Sequence, residues 1–335
     1  MRVEKLAVFR GLYLGDLVAA TPALRSLRCA YPRAEITLVS LPWTTALVPH
    51  LGDLVDRLLP YPGAPGLDGT GTGEELEEFL ARARAERFDL AVNMHGRGPV
   101  STRLVARFGA HRTASFVGEK GSDVPNLDVE VPWDAETHES RKLLLLAEKV
   151  GGAPTRAYDS SEAELRVREE DDRRALALLR HRPRKPLALV HPGASVPEKR
   201  WPGEAYGRMA DGLVRRGYGV VVTGSAGEKE LTGLVSEAAP GSLDLGGETD
   251  LSTLIALVAR ASVVVSNDTG PAHLAYALRT PSVTLFGPST DTGRWGPLDG
   301  ERHAVIVGDP ISGIPVEDVL RGVEALAARQ ERLGA

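Results

Sequence analysis

The sequence predicts an α/β protein built from two doubly wound, Rossmann-like domains that face a central cleft. Short β-rich runs alternate with amphipathic helical stretches in both halves of the chain. The runs of the second half are almost continuously apolar, as in parallel strands covered on both faces. A chain of 335 residues is long enough for two cores, and the rhythm lapses between residues 151 and 186. We therefore predict one domain over residues 1–165, a second over 166–315, and a C-terminal helix over 316–335.

The elements follow from the same patterns. Strands of the first half are predicted at residues 5–10, 35–40, 55–61, 89–94 and 112–117. Helices between them are predicted at 16–31, 42–50, 74–87, 98–109 and 137–150. The glycine-rich residues 62–73 are predicted to be a mobile loop. Strands of the second half are predicted at 186–193, 217–225, 242–247, 261–268 and 281–288, before a last amphipathic helix at 316–333.

Composition excludes several classes of protein. A net charge of −5 gives no electrostatic reason to expect nucleic acid. The single cysteine, Cys29, excludes an intramolecular disulfide and a multi-cysteine metal site, and its apolar helical surroundings predict a buried thiol. No apolar run approaches the length of a membrane span, and the N-terminus does not resemble a signal peptide. We expect a cytoplasmic protein with, at most, peripheral membrane association.

Three strand-end turns of the second half point to a phosphate-bearing ligand. They are "HPGASVPEK" (191–199), "TGSAGE" (223–228) and "SNDTGPAH" (266–273). A helix that begins after a parallel strand directs unpaired N–H groups and its positive end at the ligand side of the sheet. The turns match neither the dinucleotide nor the P-loop pattern, so we predict a nucleotide diphosphate of another kind. Simpler interpretations remain open: Asp268 and Thr269 as helix caps, Lys199 as a surface residue, Glu228 as a first-turn acid.

In the first half, "GLYLGDLVAATPAL" (11–24) follows the first strand. Asp16 stands near the start of a helix, where a carboxylate serves as a cap, as a general base, or as both. His95 and Arg97 follow a later strand and are candidates for the acceptor side, although a surface position explains the arginine better. No metal-binding motif is present, so we expect neither a metal nor any other cofactor.

Taken together, these segments resemble glycosyltransferase family 9, the ADP-heptose:lipopolysaccharide heptosyltransferases. The matching pieces run from residue 5 to residue 297 in the family's order and include "HPGAS…KRWP", "SNDTGPAHLA" and "TLFGPSTDTGRWGP". The resemblance implies a GT-B fold, with an N-terminal acceptor domain, a C-terminal donor domain and a last helix packing back on the N-terminal domain. It implies metal-independent, inverting transfer of heptose from an ADP-sugar. The Pro-Gly-Ala-Ser turn after His191 departs from the adjacent threonines of many relatives, which leaves the donor sugar open.

The same resemblance implies roles for individual residues. Asp16 resembles the general base, and Gly15 beside it leaves room for the acceptor. On the donor side, Ser195 and Lys199 resemble the diphosphate ligands, and Glu228 resembles the ribose-side carboxylate. Asp268 would contact the sugar, and Thr269 and Gly270 would contact the phosphates through their main chain. His273 would support this loop. The adenine would lie near residues 245–254. The acceptor is a glycan, a lipid-linked molecule or a small natural product, and a nucleotide-sugar epimerase or a non-catalytic binding protein are the alternatives.

Overall fold

Apolar, β-branched runs form the strands, because parallel strands with helices on both faces have no solvent side. The computed structural model describes residues 2–334, except 68, 97, 119–120, 122–123, 125–126, 153–161 and 180–184. The chain divides into two units, Met1–Glu164 and Leu165–Ala335, one residue before the predicted boundary.

The described strands of the first unit form a parallel sheet in the order β3-β2-β1-β4-β5-β6. Their bounds are β1 Lys5–Phe9, β2 Glu35–Ser40, β3 Arg57–Pro60, β4 Leu90–Asn93, β5 Arg112–Val117 and β6 Val129–Pro132. The helices are α1 Leu14–Ala19, α2 Thr21–Ala30, α3 Gly73–Ala85, α4 Pro99–Ala106 and α5 Glu139–Lys149.

The second unit repeats this plan, with a parallel sheet in the order β12-β11-β10-β7-β8-β9. Its strands are β7 Leu187–His191, β8 Gly219–Gly224, β9 Leu243–Gly246, β10 Val263–Asn267, β11 Ser282–Phe286 and β12 His303–Val307. Its helices are α6 Glu169–Leu179, α7 Gly203–Arg215, α8 Lys229–Ala238, α9 Leu251–Arg260, α10 Gly270–Ala277, α11 Thr292–Trp295 and α12 Val316–Gly334. In each unit the strand order reverses between the first and fourth strands.

The helix predicted at 16–31 is interrupted. It begins earlier, at Leu14, and separates into α1 and α2 at Ala20, directly before Thr21 and Pro22. Pro22 has no N–H to donate to the carbonyl of Val18, and the Thr21 hydroxyl donates to that oxygen instead, at 2.9 Å. The proline therefore ends one helix and occupies the first turn of the next.

Other departures lie at the edges of the sheets. Residues 42–50 form two short 3₁₀ turns, Pro42–Ala46 and Val48–His50, in place of the predicted helix. The edge strands β6 and β12 were not predicted. Both are partly exposed, and β6 ends in a proline, which an edge strand tolerates because it need not donate to a neighbour. The predicted mobility of residues 62–73 stays a prediction.

The last helix, α12, packs against the sheet of the second unit. Its buried side chains Val319, Leu320, Val323 and Leu326 belong to the core of the second unit, and α12 contacts α7, β11 and β12. The apolar face of α12 therefore covers the sheet of its own unit, and the prediction that this helix also packs back on the N-terminal domain stays a prediction. Cys29 is also exposed rather than buried, since it lies on the outer face of α2.

Candidate active site

The candidate site residues gather where the strand order reverses. In an open parallel sheet the loops that leave the first and fourth strands there run in opposite directions and create a ligand-binding crevice. In the first unit these are the loops after β1 and β4, which carry Asp16 and His95. In the second unit they are the loops after β7 and β10, which carry Lys199 and Asp268. We call these two places the first and the second switch point.

At the first switch point, Arg10 anchors Asp16. The Arg10 side chain is 1% exposed, and its Nη2 lies 3.2 Å from Oδ1 of Asp16. Its Nε donates to the main-chain oxygen of Asp16 at 2.6 Å, and Nη1 donates to the carbonyl of Met94 after β4. The guanidinium thus joins the two loops of the crevice and fixes a carboxylate that stays 20% exposed.

Further charges lie behind Arg10. Its Nη2 also lies 3.2 Å from Oε1 of Glu139, and Oε2 of Glu139 accepts from Nζ of Lys142 at 3.4 Å. The Lys142 ammonium lies 4.0 Å from the centre of the Trp133 ring. Arg10, Glu139 and Lys142 are all buried. Nothing in the local sequence links α5 to Asp16, so this group of charges was not predicted.

The helix position of Asp16 is not that of a cap. Tyr13 is the N-cap of α1, and Asp16 is the third residue of the first turn, after the half-buried Gly15. A first-turn carboxylate is still favoured by the positive end of the helix. The prediction that Asp16 caps the helix is therefore wrong, whereas its predicted role as a base does not depend on the cap.

His95 lies near Arg10, the residue that holds Asp16. Its ring stacks on Phe9 with the ring centres 5.0 Å apart, and its Nδ1 accepts from the N–H of Gly11 at 3.3 Å. Burial, with a contribution from the charge of Arg10, lowers the pKa of His95 to about 4. The neutral ring therefore carries its proton on Nε2. Arg97, the other residue predicted for the acceptor side, lies outside the described residues.

Asp268 and Lys199 meet at the second switch point. Nζ of Lys199 lies 2.7 Å from Oδ2 of Asp268, while Nε2 of His273 lies 3.7 Å from Oδ1. Burial alone would raise the pKa of Asp268, but His273 and Lys199 outweigh it and lower that pKa to about 2. Asp268 is therefore ionised, with side-chain exposure of 7% against 28% for Lys199.

Asn267 ties the loops of the second switch point together. This wholly buried residue ends β10, and its Nδ2 donates to the carbonyls of Pro192 and Gly193 at 2.9 and 3.1 Å. Its Oδ1 accepts from the N–H of Trp201 at 3.0 Å. The loop after β7 is therefore fixed at both of its ends. Asn267 lies within the turn "SNDTGPAH", but no role was predicted for it.

Glu228 packs tightly against the loop after β7. Its Oε2 accepts from the N–H and the hydroxyl of Ser225, both at 2.8 Å, in a capping box. A Cβ placed on Gly193 would lie 2.1 Å from Oε1 of Glu228, so a larger residue at position 193 would displace this carboxylate. Burial opposes ionisation, but the bonds from Ser225 and the charges of His191 and Arg200 lower the pKa of Glu228. Both alternatives for Glu228, structural acid and ligand contact, remain open.

The remaining donor-side residues fall into two groups. Thr269 is the N-cap of α10 and Gly270 its first residue, so the eight-residue helix begins directly beside Asp268. Pro271 occupies the first turn, where its missing N–H costs no hydrogen bond. Ser195, in contrast, is exposed on the loop after β7. The structure thus brings Lys199, Asp268 and His273 into contact, and its described contacts leave Ser195 apart.

Comparison with known proteins identifies the family. The family described as glycosyltransferase family 9 (heptosyltransferase) matches residues 78–312. The chain belongs to glycosyltransferase family 9. It is 30% identical over 302 residues to lipopolysaccharide heptosyltransferase 2 of Escherichia coli K12, a match that covers 85% of this chain and 83% of that protein.

Solved structures of family 9 proteins agree with this assignment. The structure of the E. coli ADP-heptose LPS heptosyltransferase II matches with a TM-score of 0.79 at 26% identity, covering 98% of this chain and 99% of the other. The family 9 glycosyl transferase of Veillonella parvula DSM 2008 matches with a TM-score of 0.84 at 22% identity, over 98% and 99% of the two chains. The predicted fold class, GT-B, and the prediction of a glycosyltransferase are confirmed.

The described part of this family 9 chain contains neither a cluster of metal-binding side chains nor a helix that could span a membrane. Its His, Cys, Asp and Glu side chains form no group of three or more that is placed to hold a metal ion. Among the same residues, no helix combines the length and apolarity that crossing a membrane requires. The absence of a metal requirement stays a prediction.

Proposed function

We propose that this family 9 glycosyltransferase transfers heptose from ADP-heptose to a hydroxyl of a lipopolysaccharide core acceptor, with inversion and without a metal ion. The observation that carries the proposal is the pair of switch points: one presents an anchored carboxylate, the other a lysine beside a helix N-terminus. Support for the donor and the acceptor comes from the relatives, which are described as ADP-heptose and lipopolysaccharide heptosyltransferases.

Asp16 acts as the general base in this proposal. Its carboxylate takes the proton of the acceptor hydroxyl, and the acceptor oxygen forms a bond to the anomeric carbon of the heptose. The bond between that carbon and the diphosphate oxygen breaks as ADP departs. Because the oxygen attacks opposite the leaving group, the anomeric configuration inverts.

The second unit holds the donor and stabilises the departing ADP. Lys199 and the N–H group of Gly270 at the start of α10 meet the negative charge of the diphosphate. Asp268 contacts the sugar, while the Lys199 ammonium compensates its charge and so allows a carboxylate beside an anionic donor. Ser195 adds a hydroxyl to the diphosphate side, Glu228 contacts the ribose, and the adenine lies near residues 245–254.

The first experiment measures transfer directly. The protein is incubated with ADP-heptose and a lipopolysaccharide core that lacks heptose, with and without EDTA. Mass spectrometry is expected to show the addition of one heptose, and the transfer rates with and without EDTA should agree within about twofold. NMR of the product is expected to show the inverted anomer. Conversion of ADP-heptose to an isomer without acceptor would instead indicate an epimerase. Loss of transfer in EDTA would contradict the metal-independent mechanism.

A second experiment tests donor binding at the second switch point. Lys199→Gln should weaken ADP binding roughly tenfold, because the ammonium loses its charge-assisted contact with the diphosphate. Lys229→Gln is the matched control, since Lys229 also follows a strand end but pairs with Glu248 on the surface. Calorimetric titration with ADP, GDP and UDP measures all three affinities. Equal affinities of the two variants, or a preference for UDP or GDP, would contradict the proposal.

A further inference from the structure

Four charged side chains form a series that leads from the core of the first unit to Asp16. In order they are Lys142, Glu139, Arg10 and Asp16, with successive contacts of 3.4, 3.2 and 3.2 Å. The first three are exposed by 1%, 3% and 1%, whereas Asp16 is exposed by 20%. Charges alternate along the series, so each buried charge has a partner of opposite sign.

Stability does not explain such a series. Removing ions from water costs free energy that their mutual attraction repays only in favourable geometry, and apolar replacements are often as stable. What buried ion pairs supply is a fixed arrangement, because each partner is bound in one orientation. The series therefore calls for an explanation at its exposed end, where Asp16 lies.

Glu139 restrains the arginine that holds Asp16. One nitrogen, Nη2 of Arg10, contacts Oδ1 of Asp16 and Oε1 of Glu139 at the same distance, 3.2 Å. The other nitrogens of Arg10 donate to the carbonyls of Asp16 and Met94. Without Glu139, the contacts given for the guanidinium among the described residues are those with Asp16 and with main-chain oxygens, so Asp16 is the one carboxylate of the two that still faces it.

Lys142 fixes Glu139 in turn. Its ammonium donates to Oε2, the oxygen of Glu139 that does not face Arg10, and lies over the Trp133 ring. Both oxygens of Glu139 are therefore engaged, and the carboxylate cannot rotate away from Arg10 without losing a contact.

We propose that Glu139 is a positioning residue of the transfer reaction, which acts through Arg10 to hold the Asp16 carboxylate in its productive place. The inference rests on the proposed role of Asp16 as the base. Glu139 contacts no substrate in this scheme. Its effect is on the rate of transfer and on the position of Asp16, and ADP binding is unaffected.

The decisive variant is Glu139→Gln, which keeps the shape of the side chain and removes its charge. We expect kcat to fall roughly 30-fold with the donor KM unchanged within about twofold, because a displacement of about 1 Å at a reacting group costs up to about 100-fold. Crystal structures of both proteins should show the Asp16 carboxylate displaced in the variant. Glu148→Gln is the matched control, since Glu148 lies on the exposed face of the same helix. Glu139→Asp, which restores the charge, should recover part of the lost rate.

Thermal unfolding and ADP titration establish that each variant is folded. Should Glu139→Gln fail to fold, Lys142→Met replaces it in both measurements, with an expected loss of about fivefold in kcat and the same displacement of Asp16. Unchanged kcat, or an unmoved Asp16 carboxylate, in the folded variant would overturn the inference. If the unaltered protein transfers no heptose, the proposed function fails instead, and the crystallographic comparison still decides whether Glu139 holds Asp16.

Discussion

The two units use the same sheet order but place opposite charges on the exposed side of their switch points. In the first unit a buried cation, Arg10, holds the more exposed carboxylate of Asp16. In the second, a buried carboxylate, Asp268, holds the more exposed ammonium of Lys199. An outward carboxylate is suited to removing a proton, and an outward ammonium to binding a diphosphate. The comparison shows that one topology yields two kinds of chemistry when the charges of a buried pair are exchanged.

The supporting residues of the two switch points are alike. Asn93 ends β4 and Asn267 ends β10, and each of these strands is the fourth of its unit. Both residues are wholly buried. Asn93 donates to the hydroxyls of Ser101 and Ser115 and accepts from the N–H of His95. It thus holds the loop after β4 in the way that Asn267 holds the loop after β7. The scaffold is thus shared, and the difference between the sites lies in the charged groups.

Removing the charge of the exposed Asp16 carboxylate should have the largest effect on catalysis. Asp16→Asn is expected to lower kcat about 1,000-fold, because general-base catalysis contributes between about 100- and 10,000-fold. ADP affinity should stay within about twofold, since Asp16 belongs to the first switch point. Steady-state kinetics and calorimetry measure the two quantities. Asp53→Asn, at an exposed first-turn acid, is the control. If the Asp16 variant kept the kcat of the unaltered protein, the assignment of proton removal to the first unit would be wrong.

A smaller effect should separate the two asparagines. Asn267→Ala leaves the N–H of Trp201 and two carbonyls without their partner, so we expect a loss of about 2 kcal/mol in unfolding free energy and roughly tenfold weaker ADP binding. Asn93→Ala should cost a similar amount of stability and leave ADP affinity unchanged. Urea unfolding and ADP titration of both variants provide the test. Equal losses of ADP affinity would show that the two scaffolds are not independent.

The smallest effect on function concerns pH. The folded pKa of His95 is about 4, below the ordinary value of 6.5, so the unfolded chain binds more protons between these values. The contribution of His95 to the free energy of unfolding is therefore fully present above pH 6.5. It decreases by about 3 kcal/mol as the pH falls towards 4. NMR titration of the ring should give a midpoint near 4, and His95→Gln should unfold less readily in acid. A midpoint above 6 would show that the ring is not held neutral beside Arg10.

Much of the second switch point was predictable from local sequence. Asp268 directly follows β10, Lys199 lies on the loop after β7, and parallel strands bring their carboxyl ends to one edge of the sheet. The pairing of Lys199 with Asp268 was not predicted, because two strand-end loops do not reveal which side chains touch. The steric dependence of Glu228 on Gly193 was hidden for the same reason.

The first switch point was predictable only in part. Asp16 was found from its position after β1, but Arg10 and Glu139 are separated by 129 residues, and no periodic pattern relates them. The charges of α5 resemble those of any amphipathic helix, so their burial could not be seen before the fold was known. The break before Pro22, in contrast, had a visible signal in the proline itself.

That break has a mechanical consequence. Since the ladder of main-chain hydrogen bonds does not continue from α1 into α2, the six residues of α1 are not a rigid extension of the longer helix. The turn that bears Asp16 is instead fastened through Arg10 to the loop after β4 and to α5. Contacts with distant parts of the chain therefore set the orientation of this turn. A substitution in α5 should affect the position of Asp16 more than a substitution in α2.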